Sequence, residues 1–190
     1  YRILCINCGE PPKEFVWQYR DKDEQFHRDD QTLTPLSFYD KYVGVDMDDY
    51  VSLISCPTSD KKFNQHYTLD YLGNVTEGNA VRYLNVDIQT LKNSVVNMLK
   101  DGEVVWHGCD VGKFLQRQNG VMDTDIFDYD ALYSTTFTMT KAQRVDYGHS
   151  TMTHAMVFTG VDLDPDGNPI KWKVENSWGE ENGKKGWFVM

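Results

Sequence analysis

The sequence predicts an α+β protein, and three observations carry that reading. Residues 88–100 set Ile88, Leu91, Val95, Met98 and Leu99 on one helical face, with Asp87 as cap and Gly102 as stop. Residues 154–161 alternate His154, Met156, Phe158 and Gly160 with Ala155, Val157, Thr159 and Val161, the period of a strand and one apolar enough to be buried on both faces. Lys171 to Asn176 alternates polar and apolar until its last member, and the turn cluster Asp164-Pro165-Asp166-Gly167-Asn168-Pro169 joins the two segments as a hairpin.

The remaining elements follow in chain order. Tyr1 to Cys8 reads as the end of a helix, halted by Gly9 and Pro11-Pro12. Its Cys5 and Cys8 form a C-x-x-C with no second ligand pair, so both are expected as buried helical cysteines. Phe15 to Arg20 reads as a strand, paired with Phe26-His27-Arg28 across the charged turn 21–24. Thr34 caps a short helix with Pro35 in its first position, ending at Gly44. Val51 to Ser55 is a strand closed by Cys56-Pro57. Residues 57–80 are polar and loop-rich, with turns at Gly73-Asn74 and Gly78-Asn79. Glu103 to Gly108 is a strand, 110–145 a long and partly irregular connection, and 186–190 a last strand within which the sequence stops. That stop, and a first residue other than Met, lead us to expect further chain on both sides.

Composition narrows the function. With 40% hydrophobic, 13% aromatic and 25% charged residues over 190 positions, the chain buries a real core. Its 19 Lys and Arg against 29 Asp and Glu give a formal charge of −10, which argues against nucleic acid as a partner. No apolar run approaches the roughly 18 residues that cross a bilayer. Four cysteines are too few for a disulfide scaffold and suit a reducing compartment, so a cytoplasmic protein is expected.

The chemistry lies in the last fifth. Thr153-His154-Ala155-Met156 opens one strand of the hairpin, and Glu175-Asn176-Ser177-Trp178-Gly179 closes the other. Neighbouring strands bring such residues to about 5 Å, so the Asn176 amide oxygen can hold the His154 imidazole in one tautomer. The other ring nitrogen is then free to take a proton from a thiol. An amide suffices as partner, because a thiol–imidazole pair already rests as thiolate and imidazolium. Trp178 would shield the hydrogen bond from water.

These two motifs resemble the histidine and asparagine motifs of papain-like cysteine peptidases. The chain is similar to the bleomycin hydrolase/aminopeptidase C branch along nearly its whole length. That similarity runs through Gly9-Glu10-Pro11-Pro12, Phe15-Val16-Trp17, Leu33-Thr34-Pro35-Leu36-Ser37-Phe38-Tyr39, Asp101-Gly102-Glu103-Val104-Val105-Trp106 and Gly108-Cys109-Asp110-Val111-Gly112-Lys113. The resemblance implies a papain-like α+β fold, with residues 81–190 as its β-rich half and 1–80 as family-specific helices and loops. It implies a cytosolic thiol aminopeptidase acting on peptides, assembled as homo-hexamers around an inner chamber and needing no cofactor. It assigns His154 and Asn176 as catalytic and Trp178 as the shielding tryptophan. The family's nucleophilic cysteine and oxyanion glutamine, in an N-terminal half, and its C-terminal tail would lie outside these 190 residues. None of Cys5, Cys8, Cys56 and Cys109 stands before an aromatic at a helix start, and Asp110 beside Cys109 disfavours a thiolate. The chain alone is therefore expected to be inactive, and a non-catalytic binding or scaffold fragment is the rival reading.

Other chemistries fit less well. Asp162 to Gly167 imitates half of an EF-hand loop, but the twelfth position is Lys173 and strands flank it. His149 and His154, five apart near Asp146, match neither helical nor strand ligand spacing, so no metal is expected. Ser150 and Ser177 lack the G-x-S-x-G elbow of a serine nucleophile.

Overall fold

The computed structural model describes residues 1–73 and 75–190, so the turn expected at Gly73-Asn74 includes a residue, Asn74, outside the described ones. The chain divides into two compact units, Tyr1–Tyr50 and Val51–Met190.

The first unit begins with α1 (Arg2–Cys8), then β1 (Phe15–Arg20) and β2 (Phe26–Leu33) as an antiparallel hairpin. The helix is where expected, but its cysteines are not buried: Cys5 is half-exposed and Cys8 exposed. No residue of α1 is buried, so its apolar positions face away from the unit's packing. β2 runs further than the expected three residues because its polar positions are solvent-facing and pairing alone carries it; only Asp29 and Leu33 turn inward. α2 (Pro35–Phe38) starts as expected with a reciprocal cap, Ser37 N–H donating to Thr34 Oγ1 at 3.2 Å and Thr34 N–H to Ser37 Oγ at 2.9 Å. It continues as a π-helical turn to Val43, and Gly44 closes it at φ 60°. Trp17 packs its ring edge-on against Phe38 at 4.9 Å, and buried Asp29 accepts from Lys41 at 2.7 Å and Tyr42 at 2.8 Å.

The second unit opens with β3 (Ser52–Ile54), β4 (Gln65–Tyr67) and β5 (Tyr83–Asn85), a small mixed sheet in the order β3-β5-β4. Asn85, fully buried, ties it to the loop after β3: its Oδ1 accepts from Cys56 N–H at 2.8 Å and its Nδ2 donates to Cys56 O at 2.9 Å. α3 (Ile88–Lys100) has the expected cap, Asp87 accepting from the Gln89 and Thr90 amides at 2.9 Å each. Its buried residues are Val95 and Val96, while Ile88, in the first turn, stays 49% exposed.

β6 (Val105–Cys109) follows, and the connection after it contains β7 (Leu115–Gln116), β8 (Val121–Met122), α4 (Tyr129–Tyr133) and α5 (Lys141–Asp146). Then come β9 (His154–Leu163), β10 (Pro169–Glu175) and β11 (Trp187–Val189). These strands form one sheet in the order β6-β9-β10-β11-β8-β7. The turn at 164–168 is a tight hairpin, with Asp164 Oδ1 accepting from Asn168 N–H at 2.7 Å. β9 is not buried on both faces. Met156 and Phe158 enter the core with Val95, Val111, Met122, Val174 and Phe188, whereas Ala155 on the opposite face is exposed, since no described element covers it there.

Candidate active site

Three local features fix the start of β9. Thr153 N–H donates to Cys109 O at 3.0 Å, Thr153 Oγ1 accepts from Val111 N–H at 3.1 Å, and β6 pairs with β9 from Val105↔Phe158 to Cys109↔His154. His154 therefore leaves a strand clamped to its neighbour, which limits its freedom more than a loop would. On the other side, β10 pairs Glu175 with Val157. Extending that register puts Asn176 beside Met156, so the imidazole and the carboxamide meet on a diagonal.

They are bonded. His154 Nε2 and Asn176 Oδ1 lie 2.8 Å apart, and the same oxygen accepts from Ser177 N–H at 2.9 Å. A backbone amide can only donate, so the Asn176 atom between them is the acceptor and His154 Nε2 carries the proton. The Nδ1 lone pair is left for a reaction partner. Asn176 is 8% exposed, and its own N–H donates to Gly186 O at 3.1 Å. Trp178 stacks on the imidazole, with ring centroids 4.7 Å apart and 26° between planes, and meets Phe188 edge-on at 6.1 Å. All three residues singled out from the sequence thus come together.

Two neighbours were not singled out as partners of this site. Cys109 sits directly across from His154 in the strand register, on the face that packs against the core. Burial pushes its thiol pKa up and the adjacent Asp110 adds to the shift, which keeps the sulfur protonated. His107, two residues earlier on the same face, stacks on Phe158 at 3.5 Å with 7° between rings. Neither of its ring nitrogens makes a hydrogen bond of good geometry among the described residues. Burial lowers its pKa to about 4, against a weaker upward pull from the Val105 backbone and with a small downward push from His154. The signal for both was the strand period itself, which sets Val105, His107 and Cys109 on one face. Ser177 serves as the amide that fixes Asn176. Among the described residues no group of three His, Cys, Asp or Glu could hold a metal ion.

The model of the Peptidase C1-like family matches residues 1–190. The chain belongs to this family. Among curated Peptidase C1-like relatives, aminopeptidase C of Listeria innocua is 50% identical over 189 residues, an alignment covering 100% of this chain and 42% of that protein. Bleomycin hydrolase of Rattus norvegicus is 42% identical over 195 residues, covering 100% and 43%. The crystal structure of PepW from Lactobacillus rhamnosis superposes with a TM-score of 0.91 at 56% identity, covering 100% of this chain and 42% of PepW. The chain thus spans about two fifths of the length of these Peptidase C1-like relatives. Its fold is the papain-like α+β fold of the family, and the alignments to aminopeptidase C and bleomycin hydrolase cover 100% of this chain.

Proposed function

We propose that this chain supplies the histidine and asparagine of a thiol-dependent aminopeptidase, whose nucleophilic cysteine comes from residues outside this sequence. The observation that carries the reading is the 2.8 Å bond from His154 Nε2–H to Asn176 Oδ1, with Trp178 stacked above it. Relatives named aminopeptidase C at 46–50% identity supply the reaction class.

In this mechanism His154 Nδ1 takes the proton of the cysteine thiol, giving thiolate and imidazolium. The thiolate adds to the carbonyl of the first peptide bond. His154 then returns the proton to the departing amine, leaving an acyl thioester, and next removes a proton from the water that hydrolyses it. Asn176 moves no proton; it keeps the ring in one tautomer and orientation through both steps. Peptides are the substrates. A hexamer in the cytoplasm is the assembly we infer from the branch resemblance, in keeping with four cysteines that are all free.

The test is turnover of aminoacyl-amide substrates by the longer protein that carries this sequence. His154→Ala should lower kcat about 10³-fold or more while folding normally, because a proton-transfer group contributes 10²–10⁴. Asn176→Ala should lower it less. Wild-type turnover by His154→Ala would remove the assignment.

A further inference from the structure

We propose that Arg117 is a positioning residue for the His154–Asn176 pair, acting by holding the Trp178 indole in place. This rests on reading His154 as the base of a thiol peptidase site. The guanidinium carbon of Arg117 lies 4.9 Å from the centroid of the Trp178 ring that stacks on His154. Its Nε donates to Asn182 Oδ1, and Asn182 Nδ2 donates to Trp178 O at 2.6 Å. Asn182 is itself 7% exposed, so it is a buried link and not a surface contact. Arg117 thereby grips the tryptophan twice, at its ring and, through one amide, at its backbone.

The loop that carries Arg117 is fastened to the site from below. Gly183 N–H donates to Arg117 O at 3.1 Å, and Val189 N–H donates to Gly120 O at 2.8 Å. The two backbones approach so closely that only glycine fits at the crossing. A Cβ on Gly183 (φ 58°) would lie 2.5 Å from Trp187 O, and one on Gly120 (φ 70°) 2.8 Å from Gly183 Cα.

The indole is only half-buried. Trp178 follows the end of β10 in a segment without regular structure; its ring packs against the core, where it meets Phe188 edge-on, and the Arg117 guanidinium adds a further restraint. A cation over an indole is attracted to its face, and the attraction resists tilting away from the ring plane. An indole that tilts admits water to the imidazole–amide bond, weakening the constraint on the ring. No motif signals this contact, since Arg117 is separated from Trp178 by 61 positions and lies in a polar connection.

The test uses the longer protein carrying this sequence and two readouts. Arg117→Ala should lower kcat about three- to fivefold with KM within about twofold, the worth of a cation–aromatic contact made by an exposed cation on a half-buried ring. Arg117→Lys should recover at least half of the loss. Independently, the His154 Nε2–H proton, followed by NMR, should exchange with water several-fold faster in Arg117→Ala and near the wild-type rate in Arg117→Lys. Arg117→Gln keeps a donor for Asn182 without the charge and should exchange like the alanine variant; should Arg117→Ala not fold, this pair decides. Exchange at the wild-type rate in Arg117→Ala or Arg117→Gln, or a rise in KM with kcat unchanged, overturns the proposal. If His154→Ala retains turnover, the catalytic reading falls, while the exchange rates still judge the positioning of the ring by Arg117.

Discussion

His107 places a titratable ring against the strand that bears His154, stacked on Phe158 with neither nitrogen bonded. Its pKa is about 4 in the folded chain against 6.5 when exposed. Between those values the unfolded chain binds a proton that the folded chain refuses, so stability falls as pH drops from 6.5 to 4 and is fully present above 6.5. His107→Phe keeps the stacked ring and removes both unpaired nitrogens, so it should raise stability at pH 7 and flatten the decline between pH 6.5 and 4. Denaturant unfolding at pH 7 and pH 4.5 measures this, and an unchanged decline would exonerate His107. Asp29 titrates in a separate window. Lys41 holds its carboxyl down to about 2, with help from the Gln31 amide and Tyr42, so its contribution is present above 3.8 and lost as pH falls toward 2. Asp29→Asn should remove its share of the acid sensitivity there, which Asp21, Asp60, Asp87 and Asp164 also carry because their hydrogen bonds hold each carboxyl low, and leave the higher window alone. At this scale the sequence disclosed His154, Asn176 and Trp178 because each sits in a short contiguous motif with a known task. His107 and Arg117 are single residues in strand or loop, and their roles exist only through partners far along the chain.

Elements were legible where local chemistry suffices to make them. α3 carries its own apolar face and its own cap, and α2 its own reciprocal Thr34–Ser37 cap, so both stand where expected. β4 and β5 do not announce themselves. Each is three residues long, too short for alternation to register, and they hold through the pairing of β5 with β3 and the side chain of Asn85. That amide accepts from one backbone N–H and donates toward Cys56, Lys61 and Lys62 carbonyls at 2.9, 3.2 and 3.3 Å. Asn85→Ala leaves a buried cavity and removes these bonds from half-buried Cys56 and Lys61, and should destabilise the chain by about 3 kcal/mol, read from the denaturation midpoint. A loss below about 1 kcal/mol would mean water replaces the amide. The connection 110–145 reads in the sequence as long and partly irregular, and it holds the short β7, β8, α4 and most of α5. The pairing of β8 with β11 through Val121↔Val189 is not legible there, because a parallel bridge of one residue pair leaves no periodic trace. The same long-range character hid the exposure of α1: its apolar residues look like a buried face in sequence, yet nothing within its own unit covers them.

For the whole molecule the decisive question is whether these 190 residues can do chemistry by themselves. Cys109 is the sulfur to consider, since it stands directly across from His154, with Cβ atoms about 5 Å apart by strand geometry. Proximity to a base would ordinarily make a thiol reactive. Here burial raises the thiol pKa and Asp110 raises it further, both acting against the thiolate that attacks a carbonyl or an epoxide. His154 Nε2–H is committed to Asn176, and the cysteine that strand pairing places beside the ring is this protonated thiol. We therefore expect the 190-residue chain, folded as judged by circular dichroism, to turn over no aminoacyl amide and to take no epoxide label. The longer protein should do both, with its label on a cysteine outside residues 1–190. Stoichiometric labelling of Cys109, abolished by Cys109→Ser, would make this half self-sufficient and would require its thiol to ionise against both its burial and its acidic neighbour.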